Sequence, residues 1–310
     1  MLVWQLPTKQ KGIVMNQRRK RKILGVLNFT GFVSPALILI STFVGIPFLM
    51  CIYYSFFKWN GIDKSKSFIG VENYIKLFTD DPGFKSAFLY SLIYMLLVTV
   101  IVNMFALFVA LILESNIRGK GFFRAAFYIP NIISLIVIGF VWKFIFSRVF
   151  DSLALLTGLE IFNLSWLGDP RIAVYSTVLV TVWQSLGFYM IIYIAGLQSV
   201  PGDIIEAVKI DGAGSIRRFF SVTLPLILPS VTVCLFHSIS NSLKMFELIF
   251  SLTGGGPGTA TTTLPLDIYN TAFNNNQFGY GSAKSVILFL LVAFITIWQT
   301  SSLKKREVEV

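Results

Sequence analysis

The stretch EAVKIDGAGSIRRFFSVTLPLILP, residues 206–229, interrupts a chain that is otherwise almost continuously apolar. It lies between one apolar run ending near Leu197 and another starting near Leu226, and Pro201 and Pro225 bracket the interruption. Asp203 and Glu206 have the D-x-x-E spacing of a helix cap and its partner three residues on, which predicts a helix from near Ile204. Ile204, Ala207 and Val208 would share one face of it. Gly212 is placed to take the left-handed conformation that ends such a turn. A second short helix is expected over 215–222, with Ile216 and Phe219 on one side and Arg217 and Arg218 on another. Leu224-Pro225 would then launch the next apolar run, since proline is tolerated in a first helical turn.

The surroundings of this segment fix the solvent. The chain has 310 residues, 55% of them hydrophobic and 13% charged, with a mean hydropathy of +0.73. Soluble domains carry roughly 25% charged residues, so a water-soluble fold would lack polar covering. A membrane span needs about 20 mostly apolar residues, and only helices or closed barrels satisfy their backbone there. The runs are long and unbroken rather than alternating, so the fold class expected is an all-α membrane protein. Six spans are expected, at 27–57, 86–113, 125–147, 172–197, 226–252 and 282–303. Pro35 and Pro47 predict a kink or broken turn in the first.

Charge orients the bundle. Lys9, Lys11, Arg18, Arg19, Lys20, Arg21 and Lys22 precede the first span, with no acid before Asp63. Arg118, Lys120 and Arg124 follow the second span, and LKKRE follows the sixth. The positive-inside rule puts these, and residues 198–225, in the cytoplasm. The organisation expected is a basic cytoplasmic tail (1–26), a six-helix domain (27–303) and a short cytoplasmic tail (304–310). Loops 58–85, 148–171 and 253–281 face outward, although the first carries five lysines beside four acids. Met15, directly before NQRRKRK, is an alternative start that would make residues 1–14 an extension. The apolar run after the basic tail is too long for a cleaved signal peptide. A basic tail beside a span is a membrane anchor, not a nucleic-acid site. Cys51 and Cys234 both lie in apolar runs without metal-site spacing and are expected as buried hydrophobes.

The pattern of 198–225 allows two readings. It is an amphipathic hairpin lying on the membrane with Glu206 as a cap, or a compact knob that a groove in a cytoplasmic partner can hold. A resemblance adds to the second. The segment resembles the EAA loop of permease subunits in binding-protein-dependent ABC importers, roughly E-A-A-x-x-D-G-A, a spacer, L-P and a further P. The match lies at Glu206, Ala207, Asp211, Gly212, Ala213, Leu224, Pro225 and Pro229, with Val208 in place of the third-position alanine. TGGGPGTATTTLPLDIYNTAF, residues 253–273, is similar to the G-G-P…T-x-T-L…Y-x-x-A-F segment of the carbohydrate branch. These glycines are followed by no GK[ST], which argues against a phosphate cradle.

The resemblance covers about residues 28–303 and implies a type I ABC importer permease fold in a bacterial inner membrane, with both termini cytoplasmic. It implies that Glu206, Ala207, Asp211, Gly212, Ala213 and Arg217 seat on an ATPase. The partners implied are a related, non-identical permease, two ATP-binding subunits and an extracytoplasmic solute-binding protein. The chain itself would bind no cofactor: it carries no G-x-x-x-x-G-K-[ST], so ATP and Mg belong to the partner subunits. The function implied is import of a sugar or oligosaccharide. Glycerol phosphate or an acidic sugar on the same architecture is the alternative, followed by an ion-coupled carrier or channel. With one histidine, no H-E-x-x-H, no G-x-S-x-G and no paired membrane carboxylates, the groups for acid–base or metal chemistry are missing. The chain reads as a transport subunit, not an enzyme.

Polar groups inside spans mark pathways. Gln184 and Ser185 sit near the middle of the fourth span, with Phe188 and Tyr189 one turn on. His237, Asn241 and Met245 recur every four residues in the fifth, with Ser240 beside them. Amides and hydroxyls beside aromatic rings suit a sugar's hydroxyls and C–H faces. Interhelical hydrogen bonding remains the other role open to them. Lys244 and Glu247 are expected to pair with each other or with a neighbour.

Overall fold

The structure, a computed structural model, describes residues 29–115 and 117–304. The basic tail 1–26, the alternative start at Met15 and residues 305–310 lie outside the described residues. Two compact units are present, divided after Tyr54.

The first contains helix α1, Phe29–Tyr54. The interruption expected from its prolines is a single π-turn, Ser41–Gly45, in which the Ile46 N–H reaches back to the Ser41 carbonyl. Pro47 has no N–H to give, and a widened turn just before it accommodates the lost bond within one helix.

The second unit opens with a two-stranded antiparallel hairpin, β1 (Phe57–Lys58) and β2 (Ser67–Phe68), and the short helix α2 (Glu72–Thr79). Two long helices, α3 (Pro82–Glu114) and α6 (Pro170–Gln198), form its centre. Both start on an Asp-Pro pair. Asp81 accepts the Phe84 N–H at 2.8 Å, and Asp169 accepts those of Arg171 and Ile172, so each helix begins earlier than hydropathy alone suggests. A ladder of polar groups fastens them: Tyr90 to Thr177 at 2.9 Å, Tyr94 to Thr181, and Tyr193 to Asn103 at 2.7 Å. Tyr90/Tyr94 and Thr177/Thr181 are each four apart, so both pairs face the same seam. The Asn103 amide continues the ladder to Ser238 on a third helix at 3.0 Å.

Two of the expected spans are not straight. The third is a pair, α4 (Lys120–Ile132) and α5 (Leu135–Thr157), bent by 97°. Pro130 sits in the last turn of α4, and Ile133 and Ser134 take extended backbone that ends the helix. The fifth is bent by 72° between α8 (Ser215–Leu226) and α9 (Leu228–Leu243). A separate short helix, α10 (Glu247–Leu252), follows. The second helix of the polar interruption therefore does not stop at residue 222: it widens into a π-turn at Phe219–Thr223 and runs on to Leu226. The break comes at Ile227 (φ −90°, ψ 7°), so Pro229 launches the span and Pro225 does not.

The first helix of the interruption, α7, spans Gly202–Ile210. Its N-cap is Pro201, and no side chain caps it. Proline fixes the φ that starts the helix, which leaves Asp203 in the first turn, where its charge suits the helix dipole. The expected Asp203 cap is thus replaced. Ile204, Ile205 and Val208 are half-buried, whereas Ala207 is exposed rather than on the inner face. After α10 the chain forms a threonine-rich turn, then α11 (Leu264–Tyr269) with a π-turn at Asn270–Asn274, and the last span α12 (Phe278–Lys304).

Among the described residues four helices are long and apolar enough to cross a membrane, or up to six if each bent pair is one span. Met104, Phe105 and Phe108 on α3, and Phe294, Ile297 and Trp298 on α12, are more than half exposed, as a lipid-facing surface requires.

Candidate functional site

Where α6 and α9 pass each other near the bends of their neighbours, they enclose a cavity of about 330 Å³. Seven of the eight residues expected to line a pathway meet there: Gln184, Ser185, Phe188, Tyr189, His237, Asn241 and Met245. The eighth, Ser240, is buried away from it, because successive helical residues point about 100° apart, and Ser242 lines the cavity instead. Met245 reaches the cavity although α9 has ended two residues before it.

The cavity's aromatic wall is built on His237. Its ring lies 4.5 Å, centroid to centroid, from that of Phe188, and its Nδ1 is 3.2 Å from the Tyr189 hydroxyl. The Asn241 amide, one turn along α9, lies 3.3 Å from His237 Nε2. On the opposite side the Gln184 amide donates to Asn131 Oδ1 at 3.4 Å. These contacts are long, at 3.2–3.4 Å, and the amides of Gln184, Asn131 and Asn241 have further donors and acceptors beyond them.

Asn131, Thr181, Lys244 and Glu247 also line it, with the apolar Val98 and Leu135, and were not among the pathway residues expected. Thr181 was within reach of sequence, being one turn before Gln184 and Ser185. Asn131 was not, because only the bend after Pro130 brings it inward. Lys244 and Glu247 do not pair: among the described residues the ion pairs are Arg124–Glu114, Lys284–Asp81 and Lys284–Asp267. The chain break between α9 and α10 turns both charges to the cavity instead of stacking them on one helix face. No cluster of His, Cys, Asp and Glu suited to a metal exists among the described residues.

The second functional region is the polar interruption. α7 ends in a hydrogen-bonded corner: Ala213 N–H bonds to the Val208 carbonyl at 3.2 Å, and Gly212 N–H to that of Lys209 at 3.1 Å. This pairing is the Schellman arrangement and needs its left-handed residue, here Gly212 at φ +75°. Glu206, Ala207, Asp211, Gly212 and Arg217 are all exposed, with Ala213 half-buried. The corner is held by its own backbone and presents the side chains of Glu206, Asp211 and Arg217 outward.

The TGGGPGTATTTL segment is braced partly from within. Thr261 donates to the Gly256 carbonyl at 2.7 Å and Thr262 to that of Gly255 at 3.1 Å, so the threonine hydroxyls tie down the glycine loop.

Comparison with known proteins agrees in sequence and in shape. The profile of the family described as "Binding-protein-dependent transport system inner membrane component" matches residues 102–307. The chain is 41% identical over 278 residues to the probable starch degradation products transport system permease protein AmyD of Thermoanaerobacterium thermosulfurigenes, covering 90% of this chain and 94% of that one. It is 35% identical to the multiple sugar-binding transport system permease protein MsmF of Streptococcus mutans, covering 93% and 99%. The fold matches a chain in the crystal structure of a bacterial ABC transporter involved in alginate import, at a TM-score of 0.78 and 19% identity over 93% of this chain. With the profile covering more than half of the residues, and relatives matched along almost their whole length, the chain belongs to the family of binding-protein-dependent transport system inner membrane components.

Proposed function

We propose that this chain is the permease subunit of an ATP-driven importer for an uncharged sugar or oligosaccharide, and that the cavity between α6 and α9 is its passage. The observation that carries the reading is the lining itself: amides of Gln184, Asn131 and Asn241, hydroxyls of Ser185, Thr181 and Tyr189, and the ring faces of Phe188 and His237. Such a wall offers donors and acceptors to hydroxyls and flat apolar faces to C–H groups. Lys244 and Glu247 bring one charge of each sign, so the lining has no excess of cations to select an acid. The names of the relatives, for starch degradation products and for multiple sugars, support a carbohydrate.

The chain is a transport subunit, not an enzyme. In the proposed mechanism a binding protein delivers sugar to the outer loops, and ATP, with Mg, closes a pair of ATPase subunits against the corner formed by Glu206, Ala207, Asp211, Gly212, Ala213 and Arg217. Because α8 continues from that corner straight to the bend before α9, movement of the corner is transmitted to the helix bearing His237 and Asn241. A related second permease would close the other side of the pathway. The protein sits in the bacterial inner membrane with both termini cytoplasmic.

The test is to tag the chain, extract it gently from its native membrane and identify its companions by mass spectrometry. A second permease, an ATPase and a solute-binding protein are expected. Binding of neutral sugars by that solute-binding protein, and their uptake into proteoliposomes, would support the substrate; preference for uronic acids or phosphorylated glycerol would overturn it. Recovery of the chain alone, in detergent that preserves other ABC complexes, would overturn the assembly.

A further inference from the structure

At the outer ends of α3 and α12 a lysine is buried. Lys284 is 2% exposed and bonds Asp267 Oδ2 at 2.7 Å, Asp81 Oδ2 at 2.9 Å and Thr271 Oγ1 at 3.0 Å. Its ammonium also lies 4.9 Å from the ring centre of Tyr280 and 5.9 Å from that of Phe84. Tyr280 in turn donates to Asp81 Oδ2 at 2.7 Å. Every donor of the ammonium is thus used, and three elements converge on it: the first turn of α3, the first two turns of α12, and α11 with its π-turn. A buried cation is tolerable only with such partners.

The segment held in this way continues to the cavity. Thr263 stands at the N-cap of α11, where a threonine hydroxyl ordinarily accepts a backbone N–H of the first turn. It caps nothing. Instead it donates at 2.8 Å to the carbonyl of Met245, in the unwound break between α9 and α10. The N–H of Leu264, at the start of α11, is taken by Ser91 Oγ of α3 at 2.8 Å. Tyr269 packs its ring on Phe246, next to Met245, at 5.3 Å. Lys244 and Met245 of this break, and Glu247 at the start of α10, line the cavity.

We propose that Lys284 and Thr263 are positioning residues for the translocation cavity: Lys284 clamps α11 through Asp267 and Thr271, and α11, through Thr263, holds the unwound break that forms one wall. The inference rests on the proposed function for the role of the cavity, not for the geometry of the clamp. Electrostatics agree with a loaded joint. Burial pushes the Asp267 carboxyl up despite its bonds to Lys284. Burial pushes Asp81 up as well, but bonds from Lys284, the Phe84 N–H and Tyr280 outweigh it and hold that carboxyl below its ordinary value.

The test reads the wall directly and needs no sugar. In the assembled complex, with Cys51 and Cys234 replaced by alanine, Met245→Cys reports the wall and Thr157→Cys, at the exposed end of α5, serves as a remote control. Both are reacted with a methanethiosulfonate reagent. Thr263→Val keeps shape and deletes the hydroxyl; Asp267→Asn keeps a hydrogen-bonding group and deletes the charge. Each is expected to speed modification at residue 245 and leave residue 157 unchanged. The double variant is expected to exceed the faster single variant by little, because both act through one segment. Lys284→Arg should fall nearer to wild type than Lys284→Met. Unchanged labelling at 245 in Thr263→Val, a parallel rise at 157, or full additivity in the double variant would overturn the clamp. Failure of sugar uptake with the labelling pattern intact would overturn the substrate and leave the clamp standing.

Discussion

Gly187, in the middle of α6, has no side chain because α4 crosses directly over it. A Cβ there would overlap the Phe127 carbonyl and the Tyr128 backbone, which cannot rotate away as a side-chain tip can. Backbone-to-backbone contact of this kind lets helices in a bilayer approach closely, where no hydrophobic force drives them together. Gly187→Ala is expected to destabilise the bundle by about 1–3 kcal/mol. Gly121, in the first turn of α4 with open space around its Cα, is the matched control, and Gly121→Ala should be neutral or better. Thermal denaturation of the detergent-solubilised complex would compare them; equal melting temperatures would refute the close crossing. Residue-level chemistry was partly open to sequence alone. The polar residues in spans four and five could be named because charge-poor helices carry them so rarely. Asn131 and Thr263 could not, since one depends on a bend and the other on a threonine that forgoes its usual cap.

At the scale of elements, the corner between α7 and α8 is the part on which the proposed coupling to an ATPase rests. Gly212 holds φ +75° and gives its N–H to Lys209. Alanine can occupy that conformation at a cost of about 1 kcal/mol, whereas proline can neither reach it nor donate. Gly212→Ala should therefore weaken, and Gly212→Pro abolish, sugar-stimulated ATP hydrolysis by the reconstituted complex, with subunit composition confirmed by native mass spectrometry. Normal stimulation in the proline variant would show that the corner does not transmit. Sequence places this corner well because the signals are local: a Pro-Gly start, an Asp-Gly stop and two short amphipathic patterns. The bends of 97° and 72° are less legible. Hydropathy is blind to direction, and Pro130 and Pro229 sit where a proline can end one helix or begin another. Only packing decides which. That same ambiguity moved the launch of the fifth span from Pro225 to Pro229.

For the whole molecule, the arrangement of charges and helices implies opposite exposure of its two ends. The basic loop after α3 is fastened by Arg124 to Glu114 at 3.3 Å, with Gln198 at the end of α6 reaching the same carboxylate at 3.2 Å. This end carries the α7–α8 corner, and the Lys284 clamp lies at the far ends of α3 and α12. Positive-inside logic puts the first in the cytoplasm and the second outside, but the five lysines of loop 58–85 oppose it. The proposed function requires the first arrangement, and labelling tests it. Lys58 and Lys76 line a groove that also holds Asp63 and Glu72, whereas Arg118 and Lys120 crowd the short turn between α3 and α4. In intact cells, with Cys51 and Cys234 replaced, a membrane-impermeant maleimide should therefore label Asn275→Cys, beyond α11. It should miss Ser215→Cys until the membrane is opened. The reverse pattern would place the coupling corner outside, beyond reach of any cytoplasmic ATPase, and the proposed direction of transport would fall with it.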